Sequence, residues 1–342
     1  MKLLTKVLTV FLLLFMAAGM RTLPAAGMKT RVIPELLNPD SIHLDDTQIY
    51  ITEGPRVRIF NRESLEQTAV FGKAGEGPQE FRILPGLPLI LNVEGDELMV
   101  NSFGKVTFFS KSGQFLREKR TQAGFIIMAE PFGENLACWG LAFEAQTRFR
   151  TIDLYDHDLN KIRNVVKQKD EFQAPGQGMD ILSAAFTFSV MADRLWVACT
   201  PEAVIHTFDL KGDPVKTVTL DIPRREMTQA DRETILDFLK TDKSTREQFD
   251  LIKPIRFRDQ FPAIMAIFSA QNRLYVMTWQ RREGRNEVLV LDKDGRTERK
   301  LWLPMAYRNA LAPAPFAIRD SNLYQLTEND DEEWELCITP IQ

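Results

Sequence analysis

Cysteine and histidine are scarce in this chain, three of each among 342 residues. Cys138, Cys199 and Cys337 are odd in number and widely spaced, so they build no disulfide framework, and no Cys-x-x-Cys pair offers a redox or zinc motif. Each falls in or at the end of an apolar run, where a free thiol acts as a small buried hydrophobe. A histidine zinc site needs about three converging ligands. His43, His157 and His206 fall in segments of different kind, a turn in the case of His157, and do not converge. Gly-x-Ser-x-Gly and His-Glu-x-x-His are missing, which removes local support for a serine hydrolase or a zinc protease. The phosphate-cradling Gly-x-x-x-x-Gly-Lys-Ser/Thr and the dinucleotide fingerprint Gly-x-Gly-x-x-Gly are missing too. Excess positive charge is lacking: 43 Lys and Arg stand against 47 Asp and Glu. The chain has no basic footprint for nucleic acid.

Long apolar runs are confined to the beginning. Lys2 and Lys6 precede Val7 to Met20, then come Arg21 and the small-residue patch Pro24-Ala25-Ala26-Gly27. A basic start, an apolar core and small residues describe a signal peptide over residues 1–27, with cleavage after Gly19 or Gly27. The run is shorter than the roughly 20 residues of a membrane-spanning helix. No cysteine lies near either cleavage point, which argues against a lipid anchor. The expectation is export to the periplasm or beyond the cell, with no stable membrane span after cleavage. Residues 28–342 remain, and losing the leader removes three bases and no acid.

What the chain does have is a recurring column of short strands. One set reads Val57 to Asn61, Val106 to Ser110, Ile152 to Asp156, Ile205 to Asp209 and Val288 to Asp292. Upstream lie Ile49-Tyr50-Ile51, Leu98-Met99-Val100, Leu136-Ala137-Cys138, Leu195-Trp196-Val197 and Leu274-Tyr275-Val276, with Leu323-Tyr324-Gln325 as a sixth. Polar turn residues precede these strands, and Asn, Asp, Ser or Gly follow the downstream set, as hairpins require. Six units whose anchors are 38 to 79 residues apart fit six blades of about 40–50 residues with uneven links. The predicted fold is therefore all-β, a six-bladed β-propeller of four-stranded antiparallel blades. The sixth unit is incomplete at Glu335 to Thr339, and an open strand edge must be covered. Lys29 to Leu36 is expected to supply its outer strand. The widest interval holds a helical insert at about 224–258, between blades 4 and 5. There Thr228 and Asp231 resemble a capping box and Ile235, Leu236, Phe238 and Leu239 form an apolar stripe.

The sharpest local motif is Phe71-Gly72-Lys73-Ala74-Gly75-Glu76-Gly77-Pro78-Gln79-Glu80-Phe81. With Pro85, Leu98 to Val100, Val106 to Phe109 and Gly113-Gln114-Phe115, it resembles the NHL-type repeat, and in particular exported bacterial six-bladed propellers with a similar link. The strong likeness covers roughly residues 42–116. The glycines of this link are expected to permit a tight crossover between blades, Gly75 and Gly77 taking positive φ with Phe71 and Phe81 packed beneath.

Two functions from different classes follow. The first is a non-enzymatic binding or scaffold module, without cofactor, recognising a protein or glycan through its loop face. The second, implied by the resemblance, is a gluconolactonase-like hydrolase holding Ca²⁺ near the axis with oxygen ligands. Its candidates are acids and amides at inner-strand ends: Glu53, Asn101, Glu130 and Asp180. Trp139 and Trp279 are candidate exposed sugar platforms. Arg281 to Arg285 and the acidic run from Glu328 to Glu333 read as solvated hairpin tips.

Overall fold

The computed structural model describes residues 28–83, 88–121, 125–145, 147–170, 178–182, 186–242, 245–247 and 249–341. The predicted signal peptide lies outside the described residues. Six four-stranded antiparallel sheets follow one another along the chain, the first five laid down in sequence order from the innermost strand outward. Blades 1 to 5 span 41–71, 90–120, 125–169, 186–219 and 264–303, and blade 6 spans 316–340. The outer strand of blade 6 is Lys29–Val32, antiparallel to Trp334–Pro340 from Lys29 opposite Ile338 to Val32 opposite Glu335. The expected closure of the ring by the N-terminal segment is what the structure shows.

Hydrophobicity explains why the blades stack. Ile49, Tyr50 and Ile51 are fully buried, as are Leu98, Val100, Leu195, Leu274 and Leu323. A strand buried on both faces reads as a continuous apolar run. Six apolar clusters lie between successive blades, the last joining blade 6 to blade 1 through Tyr324, Leu326, Trp334 and Leu336 against Ile42, Ile49 and Phe60.

These runs are the second strand of each blade rather than the innermost. The innermost strands are Ser41–Leu44, Ile90–Glu94, Phe125–Phe132, Phe186–Met191, Ile264–Ala270 and Phe316–Arg319. One edge of each looks onto the axis, so their sequences mix polar and apolar residues and carry no plain period. Glu53 and Asn101, taken for axial positions, are displaced one strand outward.

The glycine-rich link docks much as expected, with one correction. Gly72 and Gly75 take positive φ, whereas Gly77 does not. A Cβ on Gly72 would lie 2.4 Å from the Phe81 ring and 2.5 Å from the Pro55 carbonyl, so the crossover excludes any side chain there. Phe81 is fully buried, and Phe71 packs 4.1 Å from Phe109 between ring centroids. The buried Lys105 amine donates to the Gly77 and Glu80 carbonyls at 2.6 and 2.7 Å, fastening the link to blade 2.

The insert contains helix α1 (Gln229–Thr241), between blades 4 and 5, and a single further turn at Phe249–Ile252. Thr228 and Asp231 form the reciprocal capping box, Asp231 N–H to Thr228 Oγ1 at 3.2 Å and Thr228 N–H to Asp231 Oδ2 at 3.0 Å. Ile235 and Leu239 point into a satellite core with Met227, Phe261 and Trp279. The insert thus carries its own packing onto blade 5. No described helix is long and apolar enough to cross a membrane.

Closure by the N-terminal segment has a direct test. Ile33, 1% exposed, sits in the core between blades 6 and 1, while its neighbour Val32 is 40% exposed. Ile33→Ala is expected to cost about 2–5 kcal/mol and lower the thermal midpoint by several degrees, with Val32→Ala close to neutral. Equal effects of the two in thermal unfolding would refute the closure.

Candidate functional site

The six innermost strands enclose an axial cavity of about 630 Å³. Their registers define a level within it. His43 pairs with Tyr50, Asn92 with Met99, Glu130 with Ala137, Ser189 with Trp196, Phe268 with Tyr275 and Ala317 with Tyr324. Each partner stands one residue beyond the buried anchor of its second strand, so the six form one ring of lining residues. Blades 1 to 4 contribute polar groups and blades 5 and 6 contribute Phe268 and Ala317. At this level the wall is polar on one side and apolar on the other. Phe268 is fixed by stacking on Tyr275 at 5.2 Å and by an edge contact with Phe316 at 5.1 Å.

Most of the polar half is already engaged. The Asn92 amide donates to the Ala129 carbonyl at 2.7 Å, tying blade 2 to blade 3. Glu130 Oε2 accepts the Val190 N–H at 2.7 Å, and its carboxyl also bonds the Ser189 hydroxyl, tying blade 3 to blade 4. Burial pushes the Glu130 carboxyl up to about 7, against the opposing pull of those two hydrogen bonds. Burial likewise holds the His43 imidazole down at about 4, so it is neutral across the physiological range. His43 makes no hydrogen bond or ion pair with any described residue. At the end of the cavity beside the short turns, burial raises the Glu94 carboxyl, and Arg319 pairs with Asp46.

Of the four metal candidates only Glu130 lines this cavity. Glu53 is spent on the N-terminal segment: Oε1 accepts the Leu37 and Asn38 N–H groups at 2.6 and 2.8 Å, and Oε2 accepts Arg58 Nε at 3.0 Å. Asn101 is buried and donates to the Ile127 carbonyl at 2.8 Å. Asp180 lies in the link before blade 4, caps the Leu182 N–H at 3.0 Å and binds Arg258 Nε at 2.6 Å. The physical reason for the dispersal is the extra inner strand, which places Glu53 and Asn101 behind the cavity wall. Among the described residues no three His, Cys, Asp or Glu side chains come together as a metal-binding group.

No protein-family model matches the chain, and no curated protein is similar to it in sequence. Solved structures share its fold. A Bacteroides fragilis protein, exported by name only, superposes with a TM-score of 0.52 at 13% identity, over 94% of this chain and 98% of its own. A member of the DUF4221 family from Bacteroides vulgatus gives a TM-score of 0.52 at 11% identity, over the same shares of the two chains. At such identities the likeness is one of fold. The chain is a six-bladed β-propeller.

The tryptophans expected as exposed platforms are otherwise placed. Trp279 is 6% exposed and stacked on Phe261 at 4.6 Å, and Trp139 is half-buried. Both indole N–H groups are buried without a partner among the described residues. The acidic run is a hairpin turn in which Asn329 Oδ1 accepts the Asp331 and Glu333 N–H groups. A second opening, about 360 Å³, lies between α1, blade 5 and the link to blade 6. Nothing local in the sequence announced it, because Arg225, Trp279 and Tyr307 come from three separate segments.

The raised Glu130 carboxyl predicts a pH dependence with a definite sign. Between about 4.5 and 7 the folded state holds a proton that the unfolded state has released, so this group removes stability as pH rises. Glu130→Gln keeps an oxygen for the Val190 N–H and removes the titration. Its thermal midpoint relative to the wild type is expected to climb from pH 5 to pH 8. A flat difference across that range would show that Glu130 ionises normally.

Proposed function

We propose that the protein is an exported binding module that recognises a protein or glycan through one face of the propeller, without catalysing a reaction. The carrying observation is the inequality of the two faces. On one face the strands are joined by short turns locked by side chains. Asp156, Asp209 and Asp292 each accept two backbone N–H groups, and Ala192-Asp193, Gln271-Asn272 and Asp320-Ser321 take left-handed pairs suited to tight hairpins. The opposite face carries the links between blades, α1, and the raised hairpins of blades 3 and 5. Loops of varied length on a rigid disc are suited to recognition. Phe143, 60% exposed on the blade 3 hairpin, is a large apolar side chain on that face. The NHL-like link and the predicted leader are consistent with a module working outside the cytoplasm.

The calcium-dependent hydrolase finds less support. Its hard cation needs several free oxygens, and the carboxylates it would use are bonded elsewhere, Glu53 to backbone amides and Asp180 to an arginine. Added Ca²⁺ is expected to leave the thermal midpoint unchanged, whereas occupancy at ~100 times a dissociation constant would stabilise by about 2.7 kcal/mol and shift it measurably. A reproducible rise, reversed by chelation, would bring the hydrolase back.

Recognition by the loop face is tested by capture from the organism's envelope extract and from glycan arrays. Phe143→Asp on the loop face should diminish capture, and Lys293→Glu on the turn face should not. The opposite ranking would place recognition on the wrong side of the disc.

A further inference from the structure

The axial cavity holds a carboxyl without a cation. Glu130, on the innermost strand of blade 3, accepts the Val190 N–H and the Ser189 hydroxyl, and no Lys, Arg or His among the described residues pairs with it. Those donors satisfy it as a polar group but bring no full positive charge. Acids buried elsewhere in the fold are paired: Asp153 with Lys161 at 2.9 Å, Asp170 with Arg148 at 2.6 Å and Glu287 with Lys300 at 2.6 Å. A carboxylate taken out of water without a countercharge is costly, and burial accordingly lifts Glu130 toward its neutral form. The cation on the cavity wall is spent elsewhere. Arg319, beside the short turns, pairs with Asp46 and donates to the Leu44 carbonyl at 3.3 Å. Glu94 stands at the same end and Asp96 follows it on an exposed turn, so the mouth adds negative charge that draws cations.

The rest of the lining decides what kind of cation fits. An inorganic ion needs several convergent oxygens, and no three acids among the described residues converge. On the apolar side stand Phe268, Phe316 and Ala317, each half-buried and so still accessible from the cavity. Phe268 is held by its stack on Tyr275 and its edge contact with Phe316, which makes this wall preformed. Aromatic faces also favour a neighbouring cation. About 630 Å³ is ample for a small molecule, and one that is charged at one end and hydrocarbon at the other would use both walls.

We propose that the axial cavity binds a small organic ammonium ion, its charge on Glu130 and its hydrocarbon body against Phe268 and Ala317. The site lies toward the short turns and is separate from loop-face recognition, so its failure would leave that reading as it stands. Titration calorimetry on the purified protein at pH 8 with phenethylamine, phenethyl alcohol and methylamine tests it. Phenethylamine should bind at least tenfold more tightly than the alcohol, which lacks the charge, and than methylamine, which lacks the body. Glu130→Gln, which keeps an oxygen for the Val190 N–H, should weaken it about tenfold or more, consistent with loss of a charge-assisted hydrogen bond. Phe268→Leu should weaken phenethylamine and leave methylamine unchanged. Wild-type affinity should fall more than tenfold from pH 8 to pH 5 as Glu130 takes up its proton. Over that range His43 stays neutral, Arg319 stays charged and paired, and Glu94, also raised by burial, acts in the same direction. This profile needs no variant, and it reads Glu130 even should Glu130→Gln fold poorly. Absence of phenethylamine binding, equal binding of either control, or an affinity flat with pH would each overturn the proposal, as would a folded Glu130→Gln that binds like the wild type. N-acetyl-L-lysine amide binding more tightly than phenethylamine would replace the small molecule by a partner's lysine.

Discussion

Everything in this ring depends on a strand of four residues, Lys29–Val32, joined to the last strand of the chain. Its side chains are exposed, so backbone pairing and the segment that follows supply the hold. Ile33 donates its N–H to the Trp334 carbonyl at 2.8 Å, and the Trp334 indole donates to the Leu37 carbonyl at 3.0 Å. Glu53 of blade 1 accepts the next two amides, and Arg308, from the link between blades 5 and 6, donates to Asn38 at 2.6 Å. Three parts of the ring therefore grip one segment. The paired residues lie at opposite ends of the described chain, so most of the loop-closure entropy is met before this contact forms. Without it, blade 6 would present an open strand edge and the apolar core between blades 6 and 1 would be uncovered.

What was legible in the sequence follows from where water can reach. Second strands such as Ile49-Tyr50-Ile51 lie between neighbouring blades and announce themselves as apolar runs. Innermost strands such as Ser41–Leu44 and Phe316–Arg319 are short, and their axial edge tolerates His43 or Arg319, so no period marks them. That single omission moved Glu53 and Asn101 to the axis on paper, while Glu130 lies on a true inner strand. The helix was readable because its cap is local, Thr228 and Asp231 being three residues apart. The closing strand has no hydrophobic signature and was reached only by asking what could cover the last edge. The cleft beside α1 lay beyond reach, since stacking of Arg281 on Tyr307 joins a hairpin to a distant link. The run around Arg281 read as a solvated tip, which describes its exposure but misses its ring partner.

The two openings differ in what the fold can spare. In the axial cavity Asn92 and Glu130 brace adjacent blades, so a change of ligand specificity there would disturb the joints of the ring. His43 bonds no described residue, and one neutral imidazole defines little. The insert packs through its own satellite core of Met227, Ile235, Leu239, Phe261 and Trp279. Changes at its exposed edge leave the inter-blade clusters untouched, and effects at distant, independent sites add rather than propagate.

Trp279, like Trp139, buries an indole N–H that no described residue accepts. A buried indole N–H without a partner is a persistent cost, and a core free to choose would place phenylalanine at position 279. Tryptophan there keeps the stack on Phe261 and adds a donor the fold does not use. Arg281 is a different case: it is an exposed cation over Tyr307 that gains from the ring, and its N–H groups, which bond no described residue, are open to water. The axial cavity offers the contrast: its buried carboxyl at Glu130 is answered by Val190 and Ser189, which is what a structural polar group requires.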